Sequence, residues 1–264
     1  MDILLLFSPH SGILNAPLAS NGRIIRHQQK KRSEVMDIWK ELRNEGIDPS
    51  LLEEIQHFRA AHPVPPEAAA RIPIPQCLYY GKEVWESAAA ALLCGQHLLL
   101  AGPKATGKNV LAENLAAVFG RPVWDVSMYV NVDAAALIGA DTLQKGEVVF
   151  REGPICRCAR LGGFGVLDEV NMAKNEALAV LHATLDHRRV IDVPGYERIT
   201  LDNATRFIGT MNYGYAGTRE LNEALVSRFA VLDMPVISDA DLQKLLRRTF
   251  PALSAKWAEQ FALL

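Results

Sequence analysis

The chain has 264 residues, 49% of them hydrophobic and 22% charged, with a net charge of −2. That balance excludes a disordered chain and predicts one sizeable core with a smaller satellite. It also excludes a global field that would draw the molecule onto nucleic acid or an anionic membrane, and no apolar run reaches the roughly 18 residues a membrane helix needs.

The opening Met-Asp-Ile-Leu-Leu-Leu-Phe is apolar but carries Asp2 where a secretory signal has positive charge, and it reads as a buried strand or docking segment. Arg23, Arg26, Lys30, Lys31 and Arg32 then form a basic cluster, read as a solvated face, with nucleic-acid phosphates or an acidic partner as the alternative. Val35, Ile38, Trp39 and Leu42 recur at helical spacing and predict a helix from about Ser33 to Glu45, stopped by Gly46 and Pro49. Ser50 and Glu53 read as a capping box opening a second helix with Leu51, Leu52, Ile55 and Phe58 on its apolar side. Five prolines between Pro63 and Pro75 mark a linker near residues 63–76, so residues 1–76 read as a small, mainly helical region.

Beyond the linker, short apolar runs alternate with amphipathic helices, the texture of a parallel α/β sheet. Strands are predicted at His97–Leu100, Val123–Val126, Gly165–Asp168, Phe207–Thr210 and Val231–Met234, with helices at Lys108–Phe119 and Asn175–Leu185. Residues 143–151 predict a hairpin turning at Lys145-Gly146, and residues 189–201 another turning at Pro194-Gly195. The four cysteines lack paired zinc spacing and read as reduced thiols of a cytosolic protein.

The strongest chemical signal is Gly102-Pro103-Lys104-Ala105-Thr106-Gly107-Lys108-Asn109, lying between an apolar strand and a helix. In that context it reads as a phosphate-binding loop. Glycines let the backbone wrap phosphates, the helix N-terminus supplies positive potential, and Lys108 reaches the outer phosphates of ATP. Asn109 stands where Ser or Thr normally offers magnesium a hydroxyl; an amide oxygen is a less compact ligand, which places the hydrolysis rate in question. Sixty residues after Lys108, an apolar strand ends in Asp168 and Glu169. Asp168 is placed to hold Mg2+ with Asn109, and Glu169 to act as general base on the attacking water. Asn212, ending the strand that begins near Arg206, is placed to orient that water or the terminal phosphate. Arg228 closes a predicted helix and could reach a neighbouring subunit's nucleotide; alone, it would read as a helix C-terminal arginine.

These four elements, in this order and spacing, resemble the AAA+ ATPases, and within them the MoxR and dynein-related branch, over about residues 79–235. The specific stretches are Tyr80-Gly81-Lys82-Glu83-Val84, Gly95-Gln96-His97-Leu98-Leu99-Leu100, Leu167-Asp168-Glu169-Val170-Asn171, Gly209-Thr210-Met211-Asn212, and Gly217-Thr218-Arg219-Glu220-Leu221-Asn222-Glu223-Ala224-Leu225 leading into Arg228-Phe229. The resemblance implies a P-loop core over residues 77–236, a five-stranded parallel sheet between helices, and a homo-oligomeric ring, commonly a hexamer, with ATP and Mg2+ between neighbours. It implies that the two hairpins face the ring's pore, ordinary surface hairpins being the alternative. Residues 237–264 resemble only the start of a helical lid, and Arg247 and Arg248 read as a solvated helix face instead of a second sensor. In this branch the work is remodelling of a partner protein, usually with a von Willebrand A-type protein. Two other functions stay open: a nucleotide-gated binding module with weak hydrolysis, and a nucleic-acid-associated motor. GTP is open beside ATP.

Overall fold

The computed structural model describes residues 36–193, 195–213 and 220–263. The apolar opening, the basic cluster, Val35, Pro194 and Gly217-Thr218-Arg219 lie outside the described residues.

Two helices, Ile38–Asn44 and Pro49–Ala61, come first. Both begin differently from the sequence expectation. Residues 36 and 37 are not helical, because the Asp37 side chain accepts from the Lys40 N–H and caps the helix there. The second helix starts with Pro49 under Asp48, whose carboxylate accepts from the Ser50 N–H at 2.8 Å. Pro49 has no N–H to lose at a first helical position, so the cap falls on Asp48 and the Ser50–Glu53 box does not form. The proline-rich stretch that follows is a strap and not a loose spacer. It contains the short helix Pro66–Ala69, and Arg71 exchanges hydrogen bonds with Val123, both at 3.1 Å, on a strand at the sheet's edge. An edge covered in this way is closed to further strands.

The sheet has five strands: β1 (His97–Gly102), β2 (Val123–Ser127), β5 (Phe164–Asp168), β8 (Arg206–Asn212) and β9 (Phe229–Asp233). They are parallel, in the order β2-β5-β8-β1-β9. Between them lie two hairpins, β3 (Gly139–Gln144) with β4 (Glu147–Glu152), and β6 (Val190–Ile191) with β7 (Ile199–Thr200). The first turns at Lys145 and Gly146, both with positive φ as such a two-residue turn requires.

Side-chain alternation along β1 explains the layers. Leu98 and Leu100 join the apolar cluster built by helix Lys108–Val118, helix Lys82–Leu93 and the N-terminal helices, while Leu99 joins the cluster of Ile155, Leu167, Leu181 and Phe207 on the other face. The N-terminal helices share the first of these cores. Phe58 meets Phe119 edge-on with ring centroids 5.2 Å apart, and the buried Arg121 donates to His62 O and Gly162 O. The helix expected over Asn175–Leu185 is broken into Asn175–Leu178, a 3₁₀ turn at Ala179–Leu181, and His182–Leu185. After β9, helices Asp239–Thr249 and Ala255–Ala262 complete the described chain. Arg248 is not simply solvated: it pairs with Glu41 at 2.8 Å, and Lys244 with Glu45 at 2.7 Å, fastening the first of these helices to the N-terminal one.

Candidate nucleotide site

β1, β5 and β8 all end on one side of the sheet, the side where open parallel sheets hold ligands. The loop after β1 begins at Gly102, where an added Cβ would lie 2.7 Å from the Met234 carbonyl oxygen; only glycine fits between β1 and the chain beyond β9. Pro103, Lys104 and Ala105 form its exposed crest, Ala105 with φ 65°. Gly107 takes φ 80° as N-cap of helix Lys108–Val118 and brings no side chain to its first N–H groups, which favours an anion there. Lys108 is buried, its ammonium donating to Gly102 O at 3.0 Å, Pro103 O at 2.6 Å and Thr106 Oγ1 at 3.2 Å. Burial pushes its pKa down, and the charges of Asp168 and Glu169 pull it back up.

At the end of β5 the two carboxylates part ways. Asp168 Oδ1 accepts from the Thr210 hydroxyl at 2.6 Å. Glu169 turns into the left-handed region at φ 56°, costly for a side chain of its size, and its Oε1 accepts from Asn212 Nδ2 at 3.0 Å. Asn212 is held in turn by Asn171, whose Nδ2 donates to its carbonyl at 2.8 Å. Asn171 is buried, and its own Oδ1 has no hydrogen-bond partner among the described residues.

Asn109 is exposed at the mouth of a cavity of about 490 Å³ that Asp168, Ser127, Asp125, Glu113 and Arg71 also line. Burial and the neighbouring Asp168 raise the pKa of Asp125; burial and Asp125 raise that of Glu113. Oxygen donors of this kind fit a hard divalent cation. Among the described residues no three His, Cys, Asp or Glu side chains converge on one metal position; magnesium ordinarily keeps several waters and binds through one or two carboxylates and substrate phosphates.

Lys108, Asp168, Glu169 and Asn212 are thus connected by contact or charge. Arg228 stands apart. Its guanidinium donates to His182 O at 3.2 Å and to Ala224 O, and lies 3.9 Å from Asp186, none of them in the loop or at the end of β5.

Three supporting residues were given no role from the sequence, two of them, Thr210 and Asn171, although they lie in the stretches that carry the resemblance. Thr210 has the same strand parity as Asn212, so alternation along β8 could have flagged it. Asn114 lies fully buried among Leu111, Leu115 and Val118; it accepts from the Tyr79 N–H and donates to Cys77 O, which sets the Tyr79 ring against Gly107. A lone amide on an apolar helix face was its signal. Asn171 follows the carboxylates too closely to stand out from an ordinary turn.

Residues 97–229 match the AAA domain (dynein-related subfamily), and that span holds the loop, both carboxylates, Asn212 and Arg228. The chain belongs to this AAA family. Curated relatives include the uncharacterized protein YojN of Bacillus subtilis, 37% identical over 182 residues, and the uncharacterized protein SERP0979 of Staphylococcus epidermidis, 38% identical over 168. These alignments cover 67% and 61% of the AAA chain, which spans only 60% and 63% of the relatives' lengths. The crystal structure of a candidate ATPase from Cytophaga hutchinsonii superposes with a TM-score of 0.55 at 17% identity, over 85% of this AAA chain and 66% of that one, a likeness of fold. Among the described residues no helix of the AAA chain is long and apolar enough to cross a membrane.

Proposed function

We propose that this chain binds Mg-ATP on the loop of residues 102–109 and hydrolyses it, within a ring of like subunits in the cytosol, to remodel a partner protein in the manner of the MoxR branch. A von Willebrand A-type protein is the partner class we favour. Division into an N-terminal region to residue 76, a core to residue 236 and the start of a lid belongs to the same proposal.

The observation that carries it is the contact between Glu169 and Asn212 beside Lys108. Glu169 Oε1 already accepts a hydrogen bond from the amide that would orient the attacked phosphate, so base and orienting group share one locus. Glu169 takes a proton from water as its oxygen attacks the terminal phosphorus, and the bond from that phosphorus to the leaving diphosphate's oxygen breaks. Lys108 exchanges its carbonyl partners for phosphate oxygens. Asn212 turns its amide toward the terminal phosphate, releasing Glu169 to the water. Asp168 and Asn109 are the residues to hold magnesium, which when bound offsets phosphate charge. Arg228 of an adjoining subunit would neutralise the remainder.

A second reading, a nucleotide-gated module with little turnover, is favoured by Asn109, whose exposed amide replaces the hydroxyl that magnesium ordinarily receives. Phosphate release by the assembled chain separates the two. Magnesium-dependent release that falls by about a hundredfold or more in Glu169→Gln supports the ATPase; tight ATP binding with no release in the unaltered chain supports the module.

A further inference from the structure

Thr210 lies in β8 at 1% exposure, and a single oxygen ties it to both carboxylate residues at the end of β5. Its hydroxyl donates to Asp168 Oδ1 at 2.6 Å and accepts from the Glu169 backbone N–H at 3.0 Å. A hydroxyl carries one proton and two lone pairs, so it can serve both partners at once. β5 ends at Asp168; the Glu169 N–H bonds the Thr210 hydroxyl instead of a ladder carbonyl, and the chain then turns left-handed at Glu169. The same turn brings Glu169 Oε1 to Asn212.

We propose that Thr210 is a positioning residue that, through this one hydroxyl, fixes both the carboxylate oxygen Asp168 presents to magnesium and the direction in which Glu169 leaves the strand; the inference rests on the ATPase reading of the site. With Oδ1 held by Thr210, Oδ2 is the oxygen left for a cation or its water, on a residue lining the same cavity as Asn109 and Ser127. Magnesium tolerates little departure from octahedral geometry, so a carboxylate free to rotate binds it less well. Loss of an outer-shell partner of this kind typically costs about ten- to a hundredfold in metal affinity or activity. The need is greater here because Asn109 replaces a hydroxyl in the inner set. The backbone bond acts separately: without it the Glu169 turn has one anchor fewer, and the base loses its fixed distance from Asn212.

Two substitutions divide the hydroxyl's role from the side chain's bulk. Thr210→Val keeps the shape and removes the hydroxyl, whereas Thr210→Ser keeps the hydroxyl and removes a methyl group. A fluorescent ATP analogue is titrated into each full-length chain in EDTA and again across a magnesium series, and turnover is measured in parallel. In Thr210→Val we expect unchanged binding in EDTA, a magnesium half-saturation raised by about tenfold or more, and a kcat lowered by about ten- to a hundredfold. Thr210→Ser should stay within about threefold of the unaltered chain in both. A valine chain with unaltered magnesium dependence and kcat overturns the proposal. So does a pair in which serine and valine lose binding equally with and without magnesium, the mark of a packing role. An unaltered chain that binds no nucleotide overturns the ATPase reading and this inference with it; in the first two outcomes the unaltered chain still turns over ATP, which tells the failures apart.

Discussion

Lys108, Thr106 and the carbonyls of Gly102 and Pro103 close a small hydrogen-bonded network; Gly102 is there because nothing larger fits, and Gly107 because its φ is left-handed. Gly102→Ala should destabilise the chain by about 1–3 kcal/mol, read as a lowered urea midpoint, since the new methyl group meets the Met234 backbone and not a side chain that could swing away. At Asn109 the expected change is a gain. Asn109→Thr supplies the missing hydroxyl and should lower the magnesium concentration for half-maximal turnover several-fold; an unchanged or higher value would show that the amide is the better ligand in this cavity. Glu169 and Asn212 were legible because each ends an apolar strand and strand ends gather ligands. Thr210 was hidden for the opposite reason. A threonine inside a strand is ordinary, and only the pairing of β5 with β8 brings its hydroxyl to Asp168.

At the scale of elements, His97 shows how β1 and β8 are fixed to one another. It is buried, its Nδ1 accepts from the Phe207 N–H at 2.9 Å, and the proton therefore sits on Nε2. Burial, with Arg189 and Arg206 nearby, pushes its pKa down to about 3. A histidine that is neutral when folded contributes stability fully present above its unfolded pKa of about 6.5, and loses it as pH falls toward 3 because the unfolded chain then binds the extra proton. We predict that this one residue removes about 1.4 kcal/mol per pH unit below pH 6. Denaturant midpoints between pH 7.5 and pH 5 check it: His97→Asn, which keeps an acceptor and does not titrate, should give a flatter profile than the unaltered chain. β1 and β5 were readable as nearly unbroken apolar runs, since both their faces are buried, whereas the edge strands β2 and β9 turn part of their residues to solvent. Helix starts were less so. Asp37 and Asp48 took the caps from the neighbours that pattern alone favoured, and the break at Ala179–Leu181 left no glycine or proline in the sequence to announce it.

For the whole molecule, Arg228 is the residue whose proposed role lies outside its own chain; within that chain it bonds as a helix C-terminal arginine does, to the Ala224 carbonyl one turn back. It sits about one-quarter exposed on His182, Ala224 and Asp186, and the nucleotide it was expected to serve is a neighbouring subunit's. If it acts on a neighbour's nucleotide, Lys108→Ala and Arg228→Ala chains should each be inactive alone and recover turnover when mixed, because some interfaces then pair an intact loop with an intact arginine; mixtures as inactive as either variant would assign Arg228 to its own subunit. The proposed association of subunits rests on resemblance alone, since a single chain would carry one half of each interface. Binding of a triphosphate at the ends of β1 and β5 is tested by calorimetric titration of Mg-ATP into the full-length chain beside Lys108→Ala and Asp168→Ala. One saturable site in the unaltered chain, lost with Lys108 and made insensitive to magnesium with Asp168, is the predicted result; equal heats in all three chains would contradict a triphosphate site at the ends of β1 and β5.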